Sequence, residues 1–201
     1  MKKNTVFSAQ KITGIAVLMA LVIVLQAFGG SIPLGVVQLN FTLIPIVLGA
    51  VLYGAWAGAF LGFACGVVVL IQVIMGLVPF YALIWANDPI ATTLTCILKT
   101  TVAGFLAGFV YQWIRKKQSL VALFTASALV PIVNTALFIV GCLCMNDSVH
   151  FLAVENGQNV LVFILVGLVT FNFFIELAVN LLVSPALYRV IGVLGKMTKR
   201  K

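Results

Sequence analysis

Eleven of the twelve lysines and arginines in this chain sit at the ends of long apolar runs; the twelfth, Lys99, sits inside one. A charge at the centre of a bilayer costs about 2.5–3.5 kcal/mol on insertion scales, so charges collect where membrane helices leave the lipid. In lipid the backbone must also satisfy its own hydrogen bonds, which leaves helices as the means of crossing for runs of this length. The runs predict an all-α integral membrane bundle of six transmembrane helices, at about 12–28, 36–53, 55–75, 88–115, 119–145 and 157–189. The whole of 1–201 reads as a single membrane domain. Lys2, Lys3 and Lys11 ahead of the first run imitate a signal peptide, but five further runs make a retained first helix the better reading.

With six crossings the basic clusters all fall on one side. That side takes Lys2, Lys3, Lys11, Arg115, Lys116, Lys117, Arg189, Lys196, Lys199, Arg200 and Lys201, and the other takes Asp88, Asp147 and Glu155. An odd number of crossings would divide the clusters. By the positive-inside rule both termini are cytoplasmic.

Only 8% of residues are charged, where soluble domains have about 25%. The formal charge of +8 therefore reads as anchoring at helix ends, and no nucleic-acid partner is expected. Cys65, Cys96, Cys142 and Cys144 lie in apolar runs, and His150 is the sole histidine, so neither a metal nor another cofactor is expected. Gly195-Lys196-Met197-Thr198 lacks the leading glycine of a phosphate loop, position 190 being Val190, so the chain does not hydrolyse ATP by itself.

The fourth run carries the informative residues. Asp88 and Pro89 open it with helix-start chemistry, Asp88 as a cap and Pro89 at the first helical position. Asp88, Thr92, Thr95 and Lys99 are spaced 4, 3 and 4, which puts them on one helical face. Asn172, Glu176 and Asn180 share a face of the sixth run, and Asn134 follows Pro131 in the fifth. At 1.5 Å per residue from the cytoplasmic ends, Lys99 lies about 24 Å up, Asn134 about 22 Å, Glu176 about 20 Å and Asn172 about 26 Å. Four polar residues from three helices thus reach one level.

Two arrangements satisfy this pattern. In one, Lys99 and Glu176 neutralise each other as a structural ion pair while the asparagines tie helices together. In the other, the four line a ligand chamber, and Lys99, unpaired, favours a ligand carboxylate or phosphate. Phe80, Tyr81 and Trp85, in an aromatic connection before the fourth run, are interfacial anchors or chamber wall. Gly58, Gly62 and Gly66, four apart in the third run, permit close approach to another helix.

The order of these features resembles a known family. Ala16-x-x-x-Ala20 on the first run, NFTLIPIVLGAVLYGAWAGAFLG across the second and third, and DPIATTLTCILKTTVAGFLAGFVY on the fourth carry the likeness. PIVNT on the fifth and Glu176-x-x-x-Asn180 before Pro185 extend it. Together they resemble the substrate-binding S components of energy-coupling factor (ECF) vitamin transporters, along nearly the whole chain.

The resemblance implies a multi-pass protein of the cell membrane, expected to be a bacterial plasma membrane. It implies high-affinity capture of a vitamin or related micronutrient, and docking on a transmembrane coupling subunit with two ATPase subunits. The family's ligand region, between the loop joining helices 1 and 2 and the outer halves of helices 4 to 6, maps to Gln38, Asn40, Asp88, Thr92, Thr95, Lys99, Asn134 and Asn172, with Glu176 beside them. The family's helix 1 motif packs on the coupling subunit, and it maps to Ala16 and Ala20. The rival reading is a self-sufficient secondary transporter of a small polar solute, in which Asp88, Lys99 and Glu176 relay protons. An enzyme is not expected, because no paired carboxylates or nucleophile–base set occurs near an interface.

Overall fold

Helix packing begins with a seam of glycines. In the computed structural model α3 (Ala55–Ile74) lies so close to α5 (Pro89–Ile114) that side chains have no room between them. A Cβ placed at Gly58 would stand 2.3 Å from the Gly104 carbonyl oxygen, one at Gly62 would stand 2.1 Å from that of Thr100, and one at Gly66 2.7 Å from that of Cys96. The four-residue spacing on α3 thus serves close backbone approach, and the Thr100 hydroxyl adds a 2.7 Å hydrogen bond to the Gly62 carbonyl.

The structure describes residues 9–29, 33–34, 37–38, 40–155 and 157–199. Before the seam come α1 (Ala9–Val24), a π-helical turn (Leu25–Gly29), a small antiparallel hairpin of β1 (Pro33–Leu34) with β2 (Val37–Gln38), and α2 (Leu43–Tyr53). After α3 come α4 (Pro79–Asn87), α5, α6 (Ser119–Cys144) and α7 (Asn146–Glu155). The last helical rod is α8 (Val160–Val162), a π-helical stretch (Phe163–Val169) and α9 (Thr170–Lys199).

Among the described residues, five helical segments are long and apolar enough to cross a membrane. The remaining apolar helix, α2, has 11 residues, so it is about 16 Å long against a hydrocarbon core of about 30 Å. Large apolar side chains project outward from the bundle, among them Trp56, Phe109, Trp113 and Leu182. Water would oppose that arrangement and lipid favours it.

Four expectations from sequence need correction. The second helix starts at Leu43 and not near 36, because the hairpin and a turn at Phe41 and Thr42 occupy the preceding residues. The aromatic connection before the fourth run is itself a helix, α4, started by Pro79 at a position where a missing N–H is harmless. The segment from Asn146, between the fifth and sixth runs, is itself a helix, α7, and its Val149, Leu152 and Ala153 are buried. The sixth helix does not stop near 189, since α9 continues through Pro185 to Lys199.

The chain reverses between α2 and α3 at Gly54, whose φ of 102° is a conformation that side chains rarely permit.

Candidate functional site

Lys99 projects from α5 into the bundle interior and is 9% exposed. Its ammonium donates to the Tyr81 hydroxyl on α4 at 2.8 Å. It lies 5.4 Å from the Phe138 ring centroid on α6, within cation–π range, and 5.0 Å from that of Tyr81. With Tyr81 the hydroxyl is the working contact, since a 2.8 Å bond to it holds the ammonium toward the outer end of the phenol. Tyr81 and Phe138 brace each other as tilted rings 5.8 Å apart, and Phe80 packs edge-on against both.

Glu176, 7% exposed on α9, faces the same space. One carboxylate oxygen accepts the backbone N–H of Asn40 at 3.0 Å. Among the described residues no ion pair within 4.0 Å joins Lys99 to Glu176. The structural ion pair is therefore not what the structure contains. The two charges instead line a cavity of about 70 Å³ from different helices.

The walls join several elements. Asn134, Thr135 and Phe138 come from α6, while Asn172 and Phe173 come from α9. Both π-helical stretches contribute, the first through Gln26 and the second through Leu168 and Val169. A π turn widens the helix and re-aims side chains, and such turns recur at functional sites. Asn134 is 6% and Asn172 8% exposed, and the side-chain carbonyl oxygen of each is buried without a hydrogen-bond donor. Unsatisfied buried acceptors cost about 1–3 kcal/mol each.

From Glu176 a polar chain links two parts of the cavity wall, Asn40 and Gln26, and continues to Gln72. Asn40 accepts from the Thr42 hydroxyl. The Cys65 sulfur lies 3.1 Å from that hydroxyl and 3.7 Å from the Gln26 side-chain oxygen. Gln26 donates to Gln72 at 3.0 Å, and Gln72 returns a 3.0 Å bond to the Gln26 backbone carbonyl. Sequence reading missed Gln26 and Gln72; two glutamines buried in otherwise apolar spans were the available signal.

Of the residues singled out in sequence, the cavity wall brings together Asn40, Lys99, Asn134, Asn172 and Glu176. Asp88, Thr92 and Thr95 lie outside it. Asp88 does not cap α5 with its side chain; its carboxylate accepts from Ser148, drawing α7 onto the start of α5. Thr92 and Thr95 return their hydroxyls to the Asp88 and Ala91 carbonyls, each at 2.8 Å. Sharing a helical face did not carry them to the cavity, because α6 packs there: Gly141 abuts Thr95, and Met145 receives a contact from Thr92. The side chain of Gln38 lies outside the described residues.

A second feature lies on the surface. Ala16 and Ala20 are both exposed on α1. Ala16 lines an open groove of about 770 Å³ with Trp56 and Phe60 of α3 and Phe105 and Phe109 of α5, and Ala20 does not line it.

Residues 10–188 match the family described as ECF transporter, substrate-specific component. The chain belongs to this family. A substrate-specific component is a substrate-binding part of a transporter and not an enzyme. It works within a lipid bilayer beside an ECF membrane subunit and ATPases. Among curated proteins no significant match to the chain was found.

Proposed function

We propose that this chain is the high-affinity capture subunit of an ECF-type importer, and that the Lys99 cavity is where a vitamin or related micronutrient binds. The observation that carries the reading is the separation of Lys99 from Glu176. A structural pair would consume both charges, whereas here each keeps hydrogen-bonding capacity turned toward a common space. Lys99, Asn134, Asn172, Glu176 and Asn40 are the proposed contacts, and Asp88, Thr92 and Thr95 hold α5 and α7 in place behind them.

Pockets for molecules of this size run to roughly 300–1,000 Å³, so a vitamin enters only if the walls part. In this reading the six runs cross the plasma membrane with both termini cytoplasmic. The chain docks through the α1 face of Ala16 and Ala20 on a coupling subunit driven by two ATPases. The exposed aromatics of the groove beside Ala16 support docking there, since they form a large apolar surface next to a strip of small residues.

Reconstitution separates this reading from a self-sufficient transporter. Liposomes holding the chain with its coupling subunit and ATPases should accumulate a labelled vitamin only with ATP inside the module's compartment. Uptake driven by an ion gradient through the chain alone would overturn it.

A further inference from the structure

The hydrogen-bonding capacity left open around the cavity specifies a class of ligand; this inference rests on the capture reading above. An ammonium has three N–H donors, and Lys99 has one acceptor among the described residues, the neutral Tyr81 hydroxyl. An ammonium nine-tenths withdrawn from solvent calls for an anionic partner, and Glu176 does not supply it within 4.0 Å. Among the other lining residues, the carbonyl oxygens of Asn134 and Asn172 are buried without donors, and the carboxylate of Glu176 has used one oxygen on Asn40. The lining residues thus hold one concentrated positive donor and, elsewhere, buried acceptors whose donors would have to come from a ligand as the walls part around it.

We infer that the ligand is a small monocarboxylate that also carries hydroxyl or N–H donors, its carboxylate meeting Lys99 and its donors meeting Asn134 and Asn172. Glu176 limits the negative charge the cavity accepts. A dicarboxylate or a phosphate dianion would bring a second charge toward that carboxylate, in surroundings where like charges are poorly screened. A cation would meet Lys99. An apolar acid would satisfy Lys99 and leave both amide oxygens without partners, which sites built for donors penalise strongly.

The test uses the full chain purified in detergent and seven probes. Pantothenate and biotin pair a carboxylate with donors, pantothenol and biotin methyl ester keep the donors without the carboxylate, nicotinate has a carboxylate without such donors, thiamine is a cation and riboflavin is neutral. Binding is followed by calorimetry. At least one of pantothenate and biotin should bind, at least tenfold tighter than its carboxylate-free counterpart, and Lys99→Met should erase that difference. Asn172→Leu, which removes an unsatisfied group and so should fold at least as well, should weaken the same probe at least fivefold. Equal binding of the carboxylate-free counterpart overturns the assignment of class, as does preferred binding of thiamine, riboflavin or nicotinate, or binding of none of the seven. The capture reading is judged separately, by the requirement for ATP and the coupling module in uptake.

Discussion

Glu176 faces Lys99 across a cavity without pairing with it: the carboxylate accepts the Asn40 backbone N–H at 3.0 Å, and the ammonium donates to Tyr81 at 2.8 Å. Breaking a buried ion pair by removing one partner costs about 3–5 kcal/mol, and replacing both partners with apolar residues commonly restores stability. Neither signature is expected here. Lys99→Ala should leave the chain folded in detergent and weaken ligand binding by more than tenfold. Adding Glu176→Leu should not recover the binding. Thermal unfolding and calorimetry on the single and double variants check both statements, and unfolding of Lys99→Ala that the double variant reverses would reinstate the ion pair.

Tyr81→Phe isolates the hydroxyl. It removes the Lys99 acceptor and keeps the ring against Phe138. Hydrogen bonds to charged groups contribute about 1.5–3 kcal/mol, so a tenfold or greater loss of ligand affinity is expected where the hydroxyl positions the ammonium. Titration of the variant beside the parent chain reads this directly, and unchanged affinity would show that Phe138 and the ligand suffice to hold Lys99.

At the α3–α5 seam the obstacle to any side chain is backbone, which cannot swing aside. Gly62→Ala would put a methyl 2.1 Å from the Thr100 carbonyl oxygen and disturb the Thr100 hydroxyl bond to Gly62. Overpacking of this kind costs about 1–3 kcal/mol. Gly76→Ala meets no atom within 4 Å, though its φ of 72° strains it, so it separates backbone strain from crowding. Both variants should be destabilised in detergent, and a loss at Gly62 no larger than at Gly76 would contradict the seam's role.

On the outside of α1, Ala16→Trp together with Ala20→Trp should abolish ATP-driven uptake while changing ligand affinity less than twofold, because both residues are exposed and neither lines the cavity. Loss of binding with intact assembly on the coupling subunit would contradict the docking assignment.

The polar chain that joins Gln26 to Gln72 gives a stability test. Gln72→Leu removes both hydrogen bonds between Gln72 and Gln26 and leaves the Gln26 side-chain oxygen its 3.7 Å contact with the Cys65 sulfur. Leaving a buried amide N–H without its acceptor costs about 1–3 kcal/mol, which should appear as a lower midpoint of thermal unfolding. No change in the midpoint would mean that Gln26 finds other partners.

What the sequence revealed follows from which forces are periodic along it. Apolar runs, basic ends and the Gly58, Gly62 and Gly66 spacing are local patterns, and α3, α5 and α6 lie close to where they indicated. Depth along a helix is also local, so Lys99, Asn134, Asn172 and Glu176 were recognised as sharing a level. Rotation about each helix is not. Asp88, Thr92 and Thr95 share a stripe with Lys99, yet their partners are α6, α7 and their own backbone carbonyls, which only the packing of distant segments decides. Tyr81 was readable as anchor or wall, and α4 settles it as wall by carrying the hydroxyl to Lys99. The π-helical turns that bring Gln26 and Val169 to the cavity leave no signature in periodicity.

Native mass spectrometry of the chain purified from cells, parent beside Lys99→Ala, tests the central claim that the Lys99 cavity holds the transported molecule. The parent should carry about one small molecule per chain, and the variant, equally folded, should carry none. Equal retention by both would place binding elsewhere and contradict the account.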